Sequence, residues 1–157
     1  MLHFLRSLFG KKTRALNNIY ISQEALLQNF SYLLQQHPWD YLFPVIKSNA
    51  YGHGIKEIAT ILKDASCEYI CVDSYPEYKI ASQYNNHNYL VLSDTNPNNY
   101  KLYNWKRTAF VVSSFATLNY FADRGKKVRI HIFFNTGMNR EWFDLHDIEN
   151  LITILQA

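Results

Sequence analysis

Val45-Ile-Lys47-Ser-Asn-Ala-Tyr51-Gly-His-Gly54 is the stretch that decides how the chain is read. The apolar run ahead of it, Tyr41-Leu-Phe-Pro-Val-Ile46, has the length of a buried strand, and its Pro44 argues for a bulge or a displaced strand end. A lysine directly after such a run is unusual, because burying a charged amine is costly unless it is paired or neutralised. Desolvation makes a lysine amine a nucleophile able to form a Schiff base. Gly52 and Gly54 let a ligand approach the backbone where the next helix starts, a place suited to a phosphate. The same residues also suit a lysine snorkelling out of an ordinary strand-to-helix turn.

Outward from this segment, apolar strands alternate with amphipathic helices. Upstream, Ile19-Tyr-Ile21 reads as a short strand. Ser22 has the N-cap chemistry for a helix to about Gln36, with Ala25, Leu26, Phe30, Leu33 and Leu34 on one side and Pro38 closing it. Downstream, Ile55, Ile58, Ala59 and Leu62 recur at helical spacing. Tyr69 to Val72, Tyr89 to Leu92, Ala109 to Val112 and Val128 to Phe133 read as further strands. Helices are expected from Tyr75 to Tyr84, from about Ser114 to Asp123 with an end near Gly125, and from Asp144 onward; Asp94 to Asn99 reads as a polar loop. Five continuous apolar strands joined by crossover helices predict an α/β fold with a parallel sheet, and in such folds the chemistry sits at the carboxyl ends of the strands.

Composition bounds the function. The 157 residues suit one domain, and 48% apolar with 18% charged residues rule out a disordered chain. Cys67 and Cys71 are too few for a secreted disulfide framework and lack a second pair for zinc, so they read as small buried residues, and no metal site is expected. No apolar run is long enough to span a membrane, which leaves a soluble, cytoplasmic protein as the expectation. The net charge of +3 comes from one end: Arg6, Lys11, Lys12 and Arg14 fall in the first 14 residues, and the rest carries 12 basic and 13 acidic residues. A nucleic-acid partner would need a basic face across the domain, so none is expected. His53 reads as local scaffolding, and His131, inside a strand, as a satisfied core or surface residue rather than a ligand.

A second strand ends in chemistry of its own. Val128-Arg-Ile-His-Ile-Phe-Phe-Asn135-Thr-Gly137-Met-Asn-Arg140 delivers an arginine after a polar turn, and its fork suits a carboxylate, phosphate or phenolate; a surface arginine in a loop would read the same way.

Together the two segments resemble one family. Val45 to Gly54 closely resembles the pyridoxal-phosphate lysine motif of alanine racemases, and Asn135-Thr-Gly-Met-Asn-Arg140 resembles that family's second motif, normally Asp-Thr-Gly-Met-x-Arg. Weaker similarity lies in Ile19-Tyr-Ile-Ser with Asn29, in Val72-Asp-Ser-Tyr-Pro-Glu77 with Ala81, and in Val111-Val-Ser-Ser114, so the resemblance covers about Ala15 to Phe143. It implies a partial (β/α)8 TIM-type barrel of about five βα units over 15–157, truncated before closure and lacking the C-terminal β domain, behind a basic and apolar N-terminal extension over 1–14. It implies pyridoxal 5'-phosphate as cofactor and alanine as substrate. Lys47 would carry the cofactor covalently and serve as one of two proton-transfer bases, Tyr51 would contact its phosphate, and Arg140 would lie near its phenolic oxygen and the substrate carboxylate. The opposite base, a tyrosine in the family, would come from a homodimer partner or from a separate chain carrying the C-terminal half.

The sequence also departs from the family. Many members carry a lysine seven residues before the motif arginine, where it orients that arginine; Phe133 stands there. Asn135 replaces the motif aspartate. The chain is under half the usual length, so it is expected to be inactive alone. The alternative is a non-catalytic remnant, or an interaction module pairing through open strand edges.

Overall fold

The computed structural model describes residues 17–36, 41–124, 127–137, 139 and 142–156. The N-terminal extension over 1–14, Pro38, Gly125 and Arg140 lie outside the described residues.

The first element, α1 (Gln23–Gln36), is capped by the Ser22 hydroxyl, which accepts the Ala25 N–H at 3.1 Å. A helical turn at Lys47–Tyr51 precedes α2 (Ile55–Ile61) and a 3-10 turn. Strands β1 (Tyr69–Val72), β2 (Asn88–Val91), β3 (Thr108–Val112) and β4 (Arg129–Ile132) then alternate with α3 (Tyr75–Ala81), α4 (Pro97–Tyr100) and α5 (Phe115–Ala122). A second 3-10 turn leads into α6 (Ile148–Gln156). All four strands are parallel and pair in chain order, β1-β2-β3-β4, as an open sheet.

β1 is apolar throughout, and β2 and β3 are apolar after their first residues, Asn88 and Thr108, because both faces are covered. Ile70, Val72, Tyr89, Val91, Phe110 and Val112 face the helices and belong to the main core. The alternate residues, Tyr69, Cys71, Leu90 and Ala109, form a second buried cluster on the opposite face with Phe43, Leu92 and Val111 around it. The half-barrel therefore fills its own concave side.

The expected first strand is reduced to one bridge, Val45 with Cys71. Pro44 lacks an N–H, and the segment contributes only its Pro44 carbonyl, accepting from Cys71 N–H at 2.8 Å, and its Ile46 N–H, donating to the Cys71 carbonyl at 2.9 Å. Ile19 to Ile21 is not a strand; Ile19 and Tyr20 are exposed and find no ladder partner among the described residues. On α1 only Phe30 of the expected apolar side is buried, while Leu33 stays 46% exposed beside an open apolar cleft of about 490 Å³. The polar loop at 94–99 contains the start of α4, where the Asn96 side chain accepts the Asn98 N–H at 3.0 Å. Its anchor is the Asp94 carboxylate, which accepts the Tyr103 hydroxyl at 2.7 Å and the Tyr75 N–H at 3.1 Å.

Candidate active site

The bridge at Val45 sets Lys47 at the carboxyl edge of the sheet, one residue past the last backbone bond to β1. Lys47 is half-buried, and among the described residues no carboxylate forms an ion pair with it. The chain then does something no helical periodicity announces: Ser48, Asn49, Ala50 and Tyr51 all have φ between 52° and 54°, a left-handed helical turn of four non-glycine residues. Such a conformation costs about 1–2 kcal/mol per residue, so neighbouring contacts must hold it.

Those contacts are specific. Ala50 is buried and donates its N–H to the Ile46 carbonyl at 2.9 Å. The Asn49 carbonyl accepts the Gly54 N–H at 2.9 Å, and its side-chain oxygen accepts the Ile55 N–H at 2.9 Å, capping the start of α2. His53 Nδ1 lies 2.9 Å from the Ala50 carbonyl and donates to it, so His53 is scaffolding, in agreement with the sequence reading. Gly52 and Gly54, with φ of 88° and 98°, complete the reversal. The Glu77 carboxylate reaches over from α3 and accepts the Ser48 N–H at 2.6 Å and the Asp73 N–H at 2.8 Å. Tyr51, 62% exposed, stands at the end of the same turn and lines the apolar cleft beside α1.

At the far side of the sheet, the second motif is tied off by a bridge between Phe134 and Phe143. Asn135 organises the turn: its side-chain oxygen accepts the N–H groups of Gly137 at 3.0 Å and Asn139 at 3.2 Å. Its amide donates to Asn139 Oδ1 at 3.1 Å and to Asp144 Oδ1 at 3.3 Å. An asparagine suits this place because an aspartate would set a second carboxylate against Asp144. Phe133 packs on Trp142 with 3.9 Å between ring centroids, and the buried Trp142 Nε1 has no hydrogen-bond partner among the described residues. The pair borders a cleft of about 360 Å³ at the carboxyl ends of β2, β3 and β4, together with Ser93, Ser113 and Thr117.

Of the residues singled out from sequence, Lys47 and Tyr51 thus share one turn, and Arg140 falls outside the described residues. In the sequence Glu77 belongs only to the weaker similarity; Ser74-Tyr-Pro-Glu77 has the spacing of a capping box, which signals a helix start but not a contact 29 residues away. The cysteines have no part in the site. Burial pushes the Cys67 thiol up to about 11, and burial with the neighbouring Cys67 pushes Cys71 up to about 12, so neither is a nucleophile at neutral pH.

The family model "Alanine racemase, N-terminal domain" matches residues 21–157. The chain belongs to this family. Among alanine racemases, that of Lawsonia intracellularis is 28% identical over 146 residues, covering 88% of this chain and 38% of the relative. Among solved structures, the alanine racemase of Acinetobacter baumannii superimposes with a TM-score of 0.78 at 19% identity, over 87% of this chain and 40% of that one. A histidine racemase from Leuconostoc mesenteroides gives 0.71 at 22% identity, over 87% and 37%. The chain spans about two-fifths of the length of the alanine racemases it matches, and its open four-stranded sheet corresponds to part of the alanine racemase barrel domain. Among the described residues no helix is long and apolar enough to cross a membrane.

Proposed function

We propose that this chain is the cofactor-bearing part of an alanine racemase, with pyridoxal phosphate held by Lys47 and alanine as substrate. The observation that carries the reading is the placement of Lys47: a primary amine at the carboxyl edge of the sheet, without an ion-pair partner among the described residues, on a turn braced from three directions. An unpaired amine in that position is free to condense with an aldehyde, so the residues present fit the cofactor's carbonyl end. Tyr51, on the same turn, offers a hydroxyl to its phosphate. Arg140 is the proposed partner of its phenolic oxygen and of the substrate carboxylate.

When bound, pyridoxal phosphate supplies the electron sink that makes the Cα proton of an amino acid removable. The protein's share is geometric and acid–base. Lys47 Nζ holds the cofactor at the sheet edge and moves a proton on one face of the substrate. A base on the other face must come from elsewhere, and by family resemblance it is a tyrosine of a second chain, either a homodimer partner or a chain carrying the C-terminal half. The Phe133–Trp142 stack favours a second reading, a cofactor-binding relative without turnover, because an aromatic pair cannot orient an arginine as a lysine does.

Titration of the purified chain with pyridoxal phosphate, followed by borohydride trapping and peptide mapping, tests the proposal. The expected result is a visible absorbance band and one reduced adduct, on Lys47, both lost in Lys47→Ala. Labelling scattered over surface lysines would overturn it. Alanine racemisation is expected to be absent in the 157-residue chain by itself and to depend on an added C-terminal half; no turnover with that half, despite a Lys47 adduct, would establish the second reading.

A further inference from the structure

We propose that Glu77 is a positioning residue for Lys47, an inference that rests on the cofactor role proposed above. Glu77 is the third residue of α3, the position from which a glutamate ordinarily reaches back to the first free N–H of its own helix. Here one carboxylate oxygen does serve the local chain, accepting the Asp73 N–H at 2.8 Å. The other crosses to a different segment and accepts the Ser48 N–H at 2.6 Å. Ser48 directly follows Lys47 and is the first of the four left-handed residues.

The two bonds join the carboxyl end of β1 to the start of the strained turn. Lys47 lies between two fixed points: Ile46, hydrogen-bonded to Cys71, and Ser48, hydrogen-bonded to Glu77. The backbone direction from which its side chain departs is thereby set. A charged acceptor gives such bonds more weight than a neutral one, and a turn of high intrinsic cost relaxes once its first residue is released. A glutamine keeps a single acceptor oxygen and presents N–H groups in place of the second, so only one of the two backbone donors keeps an acceptor at its present position.

The test compares Glu77→Ala, Glu77→Gln and Ser114→Ala with the wild-type chain. Ser114 caps α5 by accepting the Thr117 N–H at 3.3 Å and serves as a matched helix-cap loss away from the turn. Amide hydrogen exchange at Ser48, thermal stability, pyridoxal-phosphate affinity and borohydride labelling of Lys47 are read for each. Glu77→Ala is expected to lose Ser48 protection and to weaken cofactor affinity about tenfold, the loss corresponding to one hydrogen bond to a charged group. Glu77→Gln is expected to fall between it and wild type, and remains informative if Glu77→Ala does not fold. Ser114→Ala is expected to lower the melting temperature and leave both other readouts unchanged. The proposal is overturned if the Glu77 variants lose stability as Ser114→Ala does, yet keep Ser48 protection and cofactor affinity. If the wild-type chain itself makes no Lys47 adduct, the functional reading fails, and the exchange data still decide whether Glu77 holds the turn.

Discussion

The Tyr69 ring on β1 meets the His131 ring on β4 edge-on, 5.6 Å between centroids at 86°, although two strands lie between them. On a flat sheet those strands would stand three spacings of about 4.8 Å apart, beyond contact for side chains rising side by side. The contact therefore reports curvature. Phe43 packs on the same ring at 5.3 Å, and the Arg129 guanidinium lies 5.5 Å from its centroid, so this one ring joins the segment before Lys47 to β4 across the concave face.

Tyr69, 4% exposed, is the largest buried side chain of that face. Tyr69→Ala is expected to cost about 3–5 kcal/mol, and Tyr69→Phe less than about 1 kcal/mol, since the ring does the filling. Urea unfolding measures both, and an alanine variant within about 1 kcal/mol of wild type would show the concave face to be dispensable.

The left-handed turn makes an opposite pair of predictions. Ser48 is exposed at φ 52°, so Ser48→Gly removes a steric cost, and stability is expected to rise by a few tenths to about 1 kcal/mol after the greater freedom of glycine in the unfolded chain. Asn49→Ala removes the cap on the Ile55 N–H and places a poorer residue at φ 54°, for a loss of about 1–2 kcal/mol. Thermal denaturation of the two variants checks the signs, which must differ.

Asn135→Asp restores the family's usual residue but sets a carboxylate against Asp144, whose oxygen the Asn135 amide now meets at 3.3 Å. The variant is expected to lose about 1 kcal/mol at neutral pH, to recover as pH falls through the carboxylate range, and to be rescued by Asp144→Asn. A double-mutant cycle at two pH values reads the coupling; additive effects would refute it.

Cys67 and Cys71 predict the alkaline limb of stability. Their folded-state values of about 11 and about 12 lie above that of a free thiol, so the folded chain holds protons the unfolded one has released. The contribution is complete below a free thiol's range and is lost as pH rises from there through about 12. Stability followed by denaturant titration should fall across that window, more steeply in wild type than in a Cys67→Ala, Cys71→Ala double variant, and alkylation of the folded thiols at pH 8 should be slow.

The sequence carried the frame of this fold where burial leaves a compositional mark. Tyr69-Ile-Cys-Val72 and Ala109-Phe-Val-Val112 are apolar because helices cover one side and the curl covers the other, and a strand was expected at each. Lys47 stood out because a lysine after such a run conflicts with its surroundings, whereas Tyr51 was singled out only by the family resemblance. Ile19 to Ile21 misled, since β-branched and aromatic residues favour strands only where a partner supplies the ladder. The left-handed turn was hidden: Ser48, Asn49 and Ala50 have no shared preference for it, and one of the contacts on it, the Glu77 carboxylate on the Ser48 N–H, comes from far along the chain. Curvature was equally out of reach, being a relation between Tyr69 and His131 rather than a property of either.

The chain-order pairing of the four strands has a consequence for how the molecule forms. Each strand docks on the one made immediately before it, with a single helix-bearing connection to close, so the sheet can grow from one edge as the polypeptide leaves the ribosome. Among the described residues, none of the three strand pairings waits for a partner synthesised much later.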